Sequence, residues 1–170
     1  MRVLTIGGIP ISVESSDSIS QTYEAIGGFT LLRTMRGGGL AQRNWRKLKT
    51  TITVPAARFL PALHALDMDV PHVIQCLAAR QIAGTSNAVT LPAARRADVE
   101  PYGFAVMPSG FMVRTPGVLA GSVLTLTPVA GALRYTACYV PELVAVITAL
   151  SEHTDVRGAV TGWDLTAEEV

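Results

Sequence analysis

Apolar and polar residues alternate in short runs along most of this chain, which is the period-two pattern of half-buried β-strands. The clearest run covers residues 47–54, where Leu48, Ile52 and Val54 would share one strand face and the two lysines would lie on the other. The pattern predicts strands in residues 2–14 (two short ones), 21–26, 29–35, 48–54, 72–78, 88–91, 102–107, 111–114, 122–129, 133–140, 143–150 and 159–166.

Glycine and proline mark the expected turns and strand ends. Gly7-Gly8 and Gly27-Gly28 predict tight turns, because glycine adopts positive φ without steric cost. Pro55 predicts the end of the strand that precedes it. A helix is predicted within 56–67 from the spacing of its apolar residues, and Pro61 should keep it short or broken.

Together these elements predict a mainly β fold, namely an antiparallel β-sandwich or barrel with one short helix. The length is that of a single domain spanning residues 1–170. Strands 122–129 and 133–140 are expected to pair across the turn at 130–132. Seven residues in the strongest strand patterns are expected in the core: Val123, Leu124, Tyr135, Cys138, Val146, Ile147 and Trp163.

Residues 21–54 predict a projecting hairpin with a cationic tip. Its apolar strands flank three consecutive glycines, and no carboxylate occurs between Glu24 and Asp67. Such a loop carries a large ordering entropy, and its clustered cations repel one another until a partner supplies acids. We therefore expect an interaction site made of Arg33, Arg36, Arg43, Trp45, Arg46, Lys47 and Lys49.

The composition favours a subunit of a permanent assembly. Hydrophobic residues make up 49% of the chain and charged residues only 16%, against roughly 25% in an average soluble protein. Neutral surface of this kind suits buried subunit faces. The net charge is +1, so no strong overall field attracts nucleic acid or an anionic membrane. No apolar run approaches the ~18 residues of a spanning helix, and we expect a soluble, cytosolic chain without a membrane partner.

The chain shows no recognisable catalytic constellation. Cys76 and Cys138 lie in apolar runs and are expected to be buried free thiols. His64 and His72 flank two aspartates within HALDMDVPH, where a polar turn explains the residues better than a metal site does. Glu168-Glu169 is expected to fray at the C-terminus. We therefore expect no catalytic residue, no metal and no cofactor, and hence no enzyme.

The basic stretch from Arg43 to Lys49 supports an alternative from another functional class. Trp45 could stack on a base while Arg43, Arg46 and Lys47 contact phosphates, as in a nucleic-acid-binding β-barrel. Trp and Arg are also the preferred anchors of protein interfaces. A nucleic-acid partner is the less favoured of the two, because the net charge is near zero.

Three segments of the chain resemble structural proteins of tailed-bacteriophage tails and baseplates. These segments are IGGIPISVESSDSISQTYEAIGG (6–28), LLRTMRGGGLAQRNWRKLKTTIT (31–53) and GWDLTAEEV (162–170). The chain departs from the pattern at VPAARF (54–59), where similar chains continue into glycine-rich sequence.

This resemblance implies a distal-tail or tail-tube-like component of the virion tail, assembled in the host cytoplasm. Copies of the chain would form a ring that joins the tail tube to the distal tail or baseplate. The basic hairpin would then contact the acidic residues Asp164–Glu169 of an adjacent copy, or a different tail protein.

Overall fold

The structure, a computed structural model, describes residues 2–11, 18–57, 60–155 and 160–170. The protein is mainly β, with 60% strand, 2% helix and several antiparallel sheets. The described strands are β1 Leu4–Ile6, β2 Ile9–Ile11, β3 Ser20–Ile26, β4 Phe29–Arg33, β5 Gly39–Arg43, β6 Lys47–Ala57, β7 His72–Gln75, β8 Arg80–Gly84, β9 Ala88–Thr90, β10 Tyr102–Val106, β11 Met112–Thr115, β12 Gly117–Ala120, β13 Val123–Leu126, β14 Arg134–Tyr139, β15 Glu142–Asp155 and β16 Val160–Glu169.

Contacts between residues divide the chain into two compact units. The first comprises Met1–Leu4 and Gln75–Leu143, and the second comprises Thr5–Ile74 and Val144–Val170. Each unit is therefore built from segments that are distant in sequence. Both units lie within residues 1–170, the range that was expected to form a single domain.

The first unit contains two antiparallel sheets, in the orders β11-β10-β14-β8 and β12-β13-β9. Its core cluster draws side chains from both sheets: Val89, Leu91, Ala105, Leu124, Leu126, Tyr135, Ala137 and Tyr139. This arrangement is a small β-sandwich. The expected pairing of strands 122–129 and 133–140 is wrong, because β13 pairs with β12 and β9 whereas β14 pairs with β10 and β8.

The second unit contains most of a seven-stranded sheet in the order β2-β1-β7-β15-β16-β6-β3. From Thr50 to Val54 in β6 and from Trp163 to Ala167 in β16, every second side chain is buried, including Ile52, Val54, Trp163 and Leu165. The buried hydroxyl of Thr50 is satisfied, because it donates to the carbonyl of Thr22 at 3.1 Å. The strand face predicted for residues 48–54 is thus confirmed from Thr50 onward.

Two local predictions need correction. Pro55 does not end its strand, because β6 continues to Ala57. Strand β3 pairs with β6 only as far as Thr53, so the missing N–H of Pro55 removes no hydrogen bond between β3 and β6. On the other side, the pairing of β6 with β16 shifts register beside the proline. The expected helix within 56–67 is a single 3₁₀ turn at Leu63–Ala65.

Other predictions are confirmed within the described ranges. Gly7 and Gly8 both adopt positive φ and connect β1 to β2, as a two-residue hairpin turn requires. Five of the seven expected core residues are buried, and Val123 and Val146 are half-buried. Parts of the predictions on 2–14, 56–67 and 159–166, namely residues 12–14, 58–59 and 159, lie outside the described residues.

Candidate interaction site

A projecting hairpin is present as a two-stranded sheet, which we call the arm (residues 27–46), but its second strand is not the predicted one, because β4 pairs with β5 whereas strand 48–54 pairs with β3. Strands β4 and β5 pair with each other from Phe29 opposite Arg43 to Arg33 opposite Gly39, and every residue of both strands is exposed. Strands β3 and β6 lead into it, because Ile26 pairs with Lys47 at the end of the larger sheet. The arm therefore extends this ladder beyond the packed core of the second unit.

A three-residue loop closes the tip of the arm. The Thr34 N–H donates to the Gly38 carbonyl at 2.8 Å, and the Gly37 N–H donates to the Thr34 carbonyl at 2.9 Å. Gly37 has φ +79°, which matches the glycine of a type I turn with a G1 bulge. Met35 and Arg36 lie fully exposed on this loop.

The base of the arm depends on two glycines, for a reason that differs from the predicted one. Gly27 and Gly28 do not adopt positive φ and form no turn, so that prediction is wrong. Instead Gly27 passes close to Trp45, which lies between β5 and β6, and a Cβ at Gly27 would collide with the Trp45 carbonyl oxygen. A Cβ at Gly28 would lie 3.0 Å from the indole nitrogen of Trp45. Close approach of the two main chains therefore requires glycine at position 27, whereas a side chain at position 28 would require only a small shift of the indole.

Large apolar side chains are exposed on both faces of the arm. Directly opposite residues of an antiparallel pair share a face. Leu31 therefore lies beside Ala41 on one face of the arm, and Leu32 lies beside Leu40 on the other face. Phe29 is 55% exposed and Trp45 is 53% exposed. An isolated two-stranded hairpin is at best marginally stable in water, and large exposed apolar patches are a common feature of interaction sites.

The cations predicted for this site divide into two groups. Arg33, Arg36, Arg43 and Arg46 lie on the arm, and the ion pairs formed by described residues do not include them. The guanidinium carbon of Arg43 lies 5.5 Å from the centre of the Phe29 ring. These arginines have no carboxylate partner in the part of the chain that the structure describes.

Lys47 and Lys49 form the second group and lie at the start of β6. Lys47 Nζ donates to the Val170 carbonyl at 2.9 Å, and Lys49 Nζ lies 4.0 Å from a Glu168 carboxylate oxygen. The Leu48 N–H donates to the Glu169 carboxylate at 2.9 Å. Fraying of the acidic end of the chain was expected, and this prediction is wrong, because the segment pairs with β6 of the same chain.

A small cleft opens at the base of the arm. Its volume is about 120 Å³. It is lined by Ala25, Ile26, Gly27, Gly28, Phe29, Arg43, Trp45 and Arg46. The cleft combines two aromatic rings with two guanidinium groups, so it can accept an anionic group that also has an apolar surface.

The His/Asp segment that resembled a metal site forms a polar turn. The Asp67 carboxylate accepts the N–H of Asp69 at 3.0 Å, and the Asp67 carbonyl lies 2.6 Å from His72 Nε2. His64 lies 3.0 Å from a carboxylate oxygen of Glu152. Among the described residues, no three His, Cys, Asp or Glu side chains converge as metal ligands would.

Both cysteines are buried free thiols. Burial raises the pKa of Cys138, which keeps this thiol protonated. The described ranges contain no helix with the length and apolarity needed to cross a membrane. Comparison of the chain with protein-family models, with curated proteins and with solved structures found no match.

Proposed function

We propose that this protein is a structural subunit of a bacteriophage tail, and that it docks on a neighbouring protein through the arm. The observation that carries the proposal is the exposure of every residue of β4 and β5, on a hairpin that pairs with no other described strand. The sequence resemblance of residues 6–28, 31–53 and 162–170 supplies the setting, a ring that joins the tail tube to the distal tail or baseplate.

The chemistry of the arm fits a protein partner. Docking would bury Leu31, Leu32, Leu40 and Met35, whose exposure to water is otherwise unfavourable. Interfaces are enriched in Trp, Met and Arg, which are the residue types that the arm exposes beside its leucines. The unpaired arginines would then select a partner surface that carries carboxylates.

The first experiment tests whether the chain is part of the virion. The gene would be deleted from the phage that encodes it and the chain supplied in trans with an epitope tag. We expect the tagged chain in purified virions by mass spectrometry and at one position on the tail by immunogold microscopy. Infectious, complete tails in the absence of the chain would refute the proposal.

The second experiment tests the arm itself. We expect Arg43→Glu/Arg46→Glu to fold normally but to fail in restoring tails, because the reversed charges repel an acidic partner. The matched control is Arg2→Glu/Arg134→Glu, which changes two exposed arginines outside the arm and should restore infectivity. Normal assembly by the arm variant would show that the arm is not the docking element.

A nucleic-acid interface is a second candidate, favoured by the exposed Trp45 ring between Arg43 and Arg46 at the cleft. A base could stack on the indole while the guanidinium groups contact phosphates. Binding of single-stranded DNA or RNA that weakens steeply with salt and is lost in Trp45→Ala would favour this function. Retention of binding in Trp45→Ala would exclude this site.

A further inference from the structure

We propose that the partner of the arm is a second copy of this chain, and that the arm docks on the acidic turn, defined as residues 67–70 together with Val73. The inference rests on the proposed function, in which the arm is a docking element, and adds the identity of its partner. It replaces the expected contact with Asp164–Glu169, because Glu168 and Glu169 of that segment already pair with β6 of their own chain.

The acidic turn has the properties that an arm-binding surface needs. Asp67 and Asp69 are exposed, and neither takes part in the ion pairs formed by described residues. The Asp67 side chain accepts the Asp69 N–H at 3.0 Å, a local hydrogen bond that favours the turn. Val70 and Val73, the latter 46% exposed, place apolar surface beside the two carboxylates.

The arm and the acidic turn are complementary in both charge and polarity. Among the described residues, the arm carries four arginines without a carboxylate partner beside exposed leucines, and the turn carries two carboxylates without a cation beside exposed valines. Two other acids of the described chain are already engaged, since Asp98 pairs with Arg96 and Glu152 with His64. Complementary charges of this kind set the register and specificity of an interface.

The two surfaces adjoin different strands of the same sheet. The arm continues β3 and β6, whereas the acidic turn leads into β7, and β15 and β16 lie between β7 and β6 in the sheet order. The two surfaces are therefore different patches of the same chain. A contact between different patches that repeats in one direction is heterologous and generates a closed ring, or a filament where the rotation does not close, whereas a reciprocal contact closes a two-fold dimer.

A charge-exchange experiment tests this contact. The arm variant is Arg33→Glu/Arg36→Glu, and the turn variant is Asp67→Asn/Asp69→Lys, in which the new amide at position 67 keeps an oxygen that can accept the N–H of residue 69. Assembly would be measured by analytical ultracentrifugation over a range of protein and salt concentrations. The parent chain should assemble, more weakly at high salt, and each variant alone should need about tenfold more protein or more to reach half assembly.

Mixing the two variants gives the sharpest outcome. In the mixture, the reversed arm of the arm variant meets the reversed turn of the turn variant. The parental arm of the turn variant likewise meets the parental turn of the arm variant. Assembly should therefore return in the equimolar mixture, although neither variant assembles by itself at the same concentration. The control Arg2→Glu/Arg134→Glu should assemble as the parent does and should not rescue the turn variant. Recovery in the mixture would establish the direct contact, and no recovery would overturn the inference.

The remaining outcomes separate this inference from the proposed function. A parent chain that stays monomeric at all concentrations overturns self-docking, as does a turn variant that assembles normally while the arm variant does not. In both cases an arm that is still required for tails would dock on a different tail protein. If Arg33→Glu/Arg36→Glu assembles and also restores infectious tails, both the inference and the proposed role of the arm are wrong.

Discussion

Replacement of Arg96 by methionine should destabilise the first unit more than any other single change of an arginine in it. Arg96 is only 4% exposed, yet all three guanidinium nitrogens donate hydrogen bonds. Two of them donate to the Asp98 carboxylate at 2.9 and 2.6 Å, and the third donates to the carbonyls of Val3 and Cys76 at 2.7 and 2.9 Å. Arg96 therefore connects three segments of the first unit that are distant in sequence.

The expected cost follows from the groups that Arg96→Met leaves behind. The hydrogen bond to the Cys76 carbonyl is buried, and removing one partner of a buried hydrogen bond costs about 1–3 kcal/mol. The bond to Val3 is partly buried and adds a smaller amount. Asp98 is 58% exposed at its side chain, so water can replace its partner at little cost. We expect a loss of about 2–4 kcal/mol, a large part of the ~5–15 kcal/mol that stabilises a typical domain.

Urea unfolding and hydrogen exchange together measure this loss. Both tryptophans belong to the second unit, so tryptophan fluorescence reports that unit, whereas exchange of the β10 and β14 amides reports the first. The β10 and β14 amides should lose protection in Arg96→Met. The control Arg95→Met removes an adjacent, half-buried arginine and should cost about 1 kcal/mol or less. An Arg96→Met variant within about 0.5 kcal/mol of the parent, with unchanged exchange, would refute this reasoning.

Three further predictions concern other parts of the chain. Ile147→Ala should lower the free energy of unfolding by about 2–5 kcal/mol in urea titrations, whereas the exposed Val144→Ala on the same strand should change it little; equal losses would show that β15 packs differently. Gly27→Ala should displace Trp45 and shift its emission without affecting the buried Trp163, so a spectrum identical to the parent's would contradict the close approach. Because the hydrogen bond from Arg96 lowers the pKa of Asp98, this carboxyl stabilises the fold above the ordinary aspartate pKa, and the stabilisation is lost as the pH falls through the lowered value. Thermal midpoints in acid should therefore fall less in Asp98→Asn than in the parent, and parallel profiles would contradict the linkage.

The sequence predicted local structure well where the cause is local. Alternation located most strands, and the glycines at Gly7-Gly8 and Gly37–Gly39 located a turn and the tip of the arm. The short strands β5, β8 and β12 were missed, because they lie in stretches without clear period-two alternation. Partner choice was also missed for β13 and β14, which are neighbours in sequence but lie in different sheets. Hydrophobic pattern specifies the face of a strand but not its neighbour.

The candidate site was likewise predictable only in part. The run of cations and glycines in 33–49 is visible in the sequence, and the structure places its arginines on an exposed hairpin. Lys47 and Lys49 are engaged by the Val170 carbonyl and the Glu168 carboxylate, which lie too far along the chain for a local pattern to reveal. Gly27 and Gly28 looked like a turn, because close packing against Trp45 leaves the same sequence signal as positive φ.

The interior position of β16 in its sheet, between β15 and β6, has a consequence for synthesis of the protein on the ribosome. Leu48 in β6 bonds to Glu169 in β16, which is 121 positions further along the chain. At about 5–20 residues per second, the ribosome needs about 6–24 s to make that partner. During this interval the nascent β3–β6 hairpin exposes an unpaired β6 edge and the apolar side chains of Ile52 and Val54, together with the arm. Slow, non-local pairing of this kind leaves the nascent chain available to chaperones. Self-association through the exposed strand edge can compete with folding during the same interval.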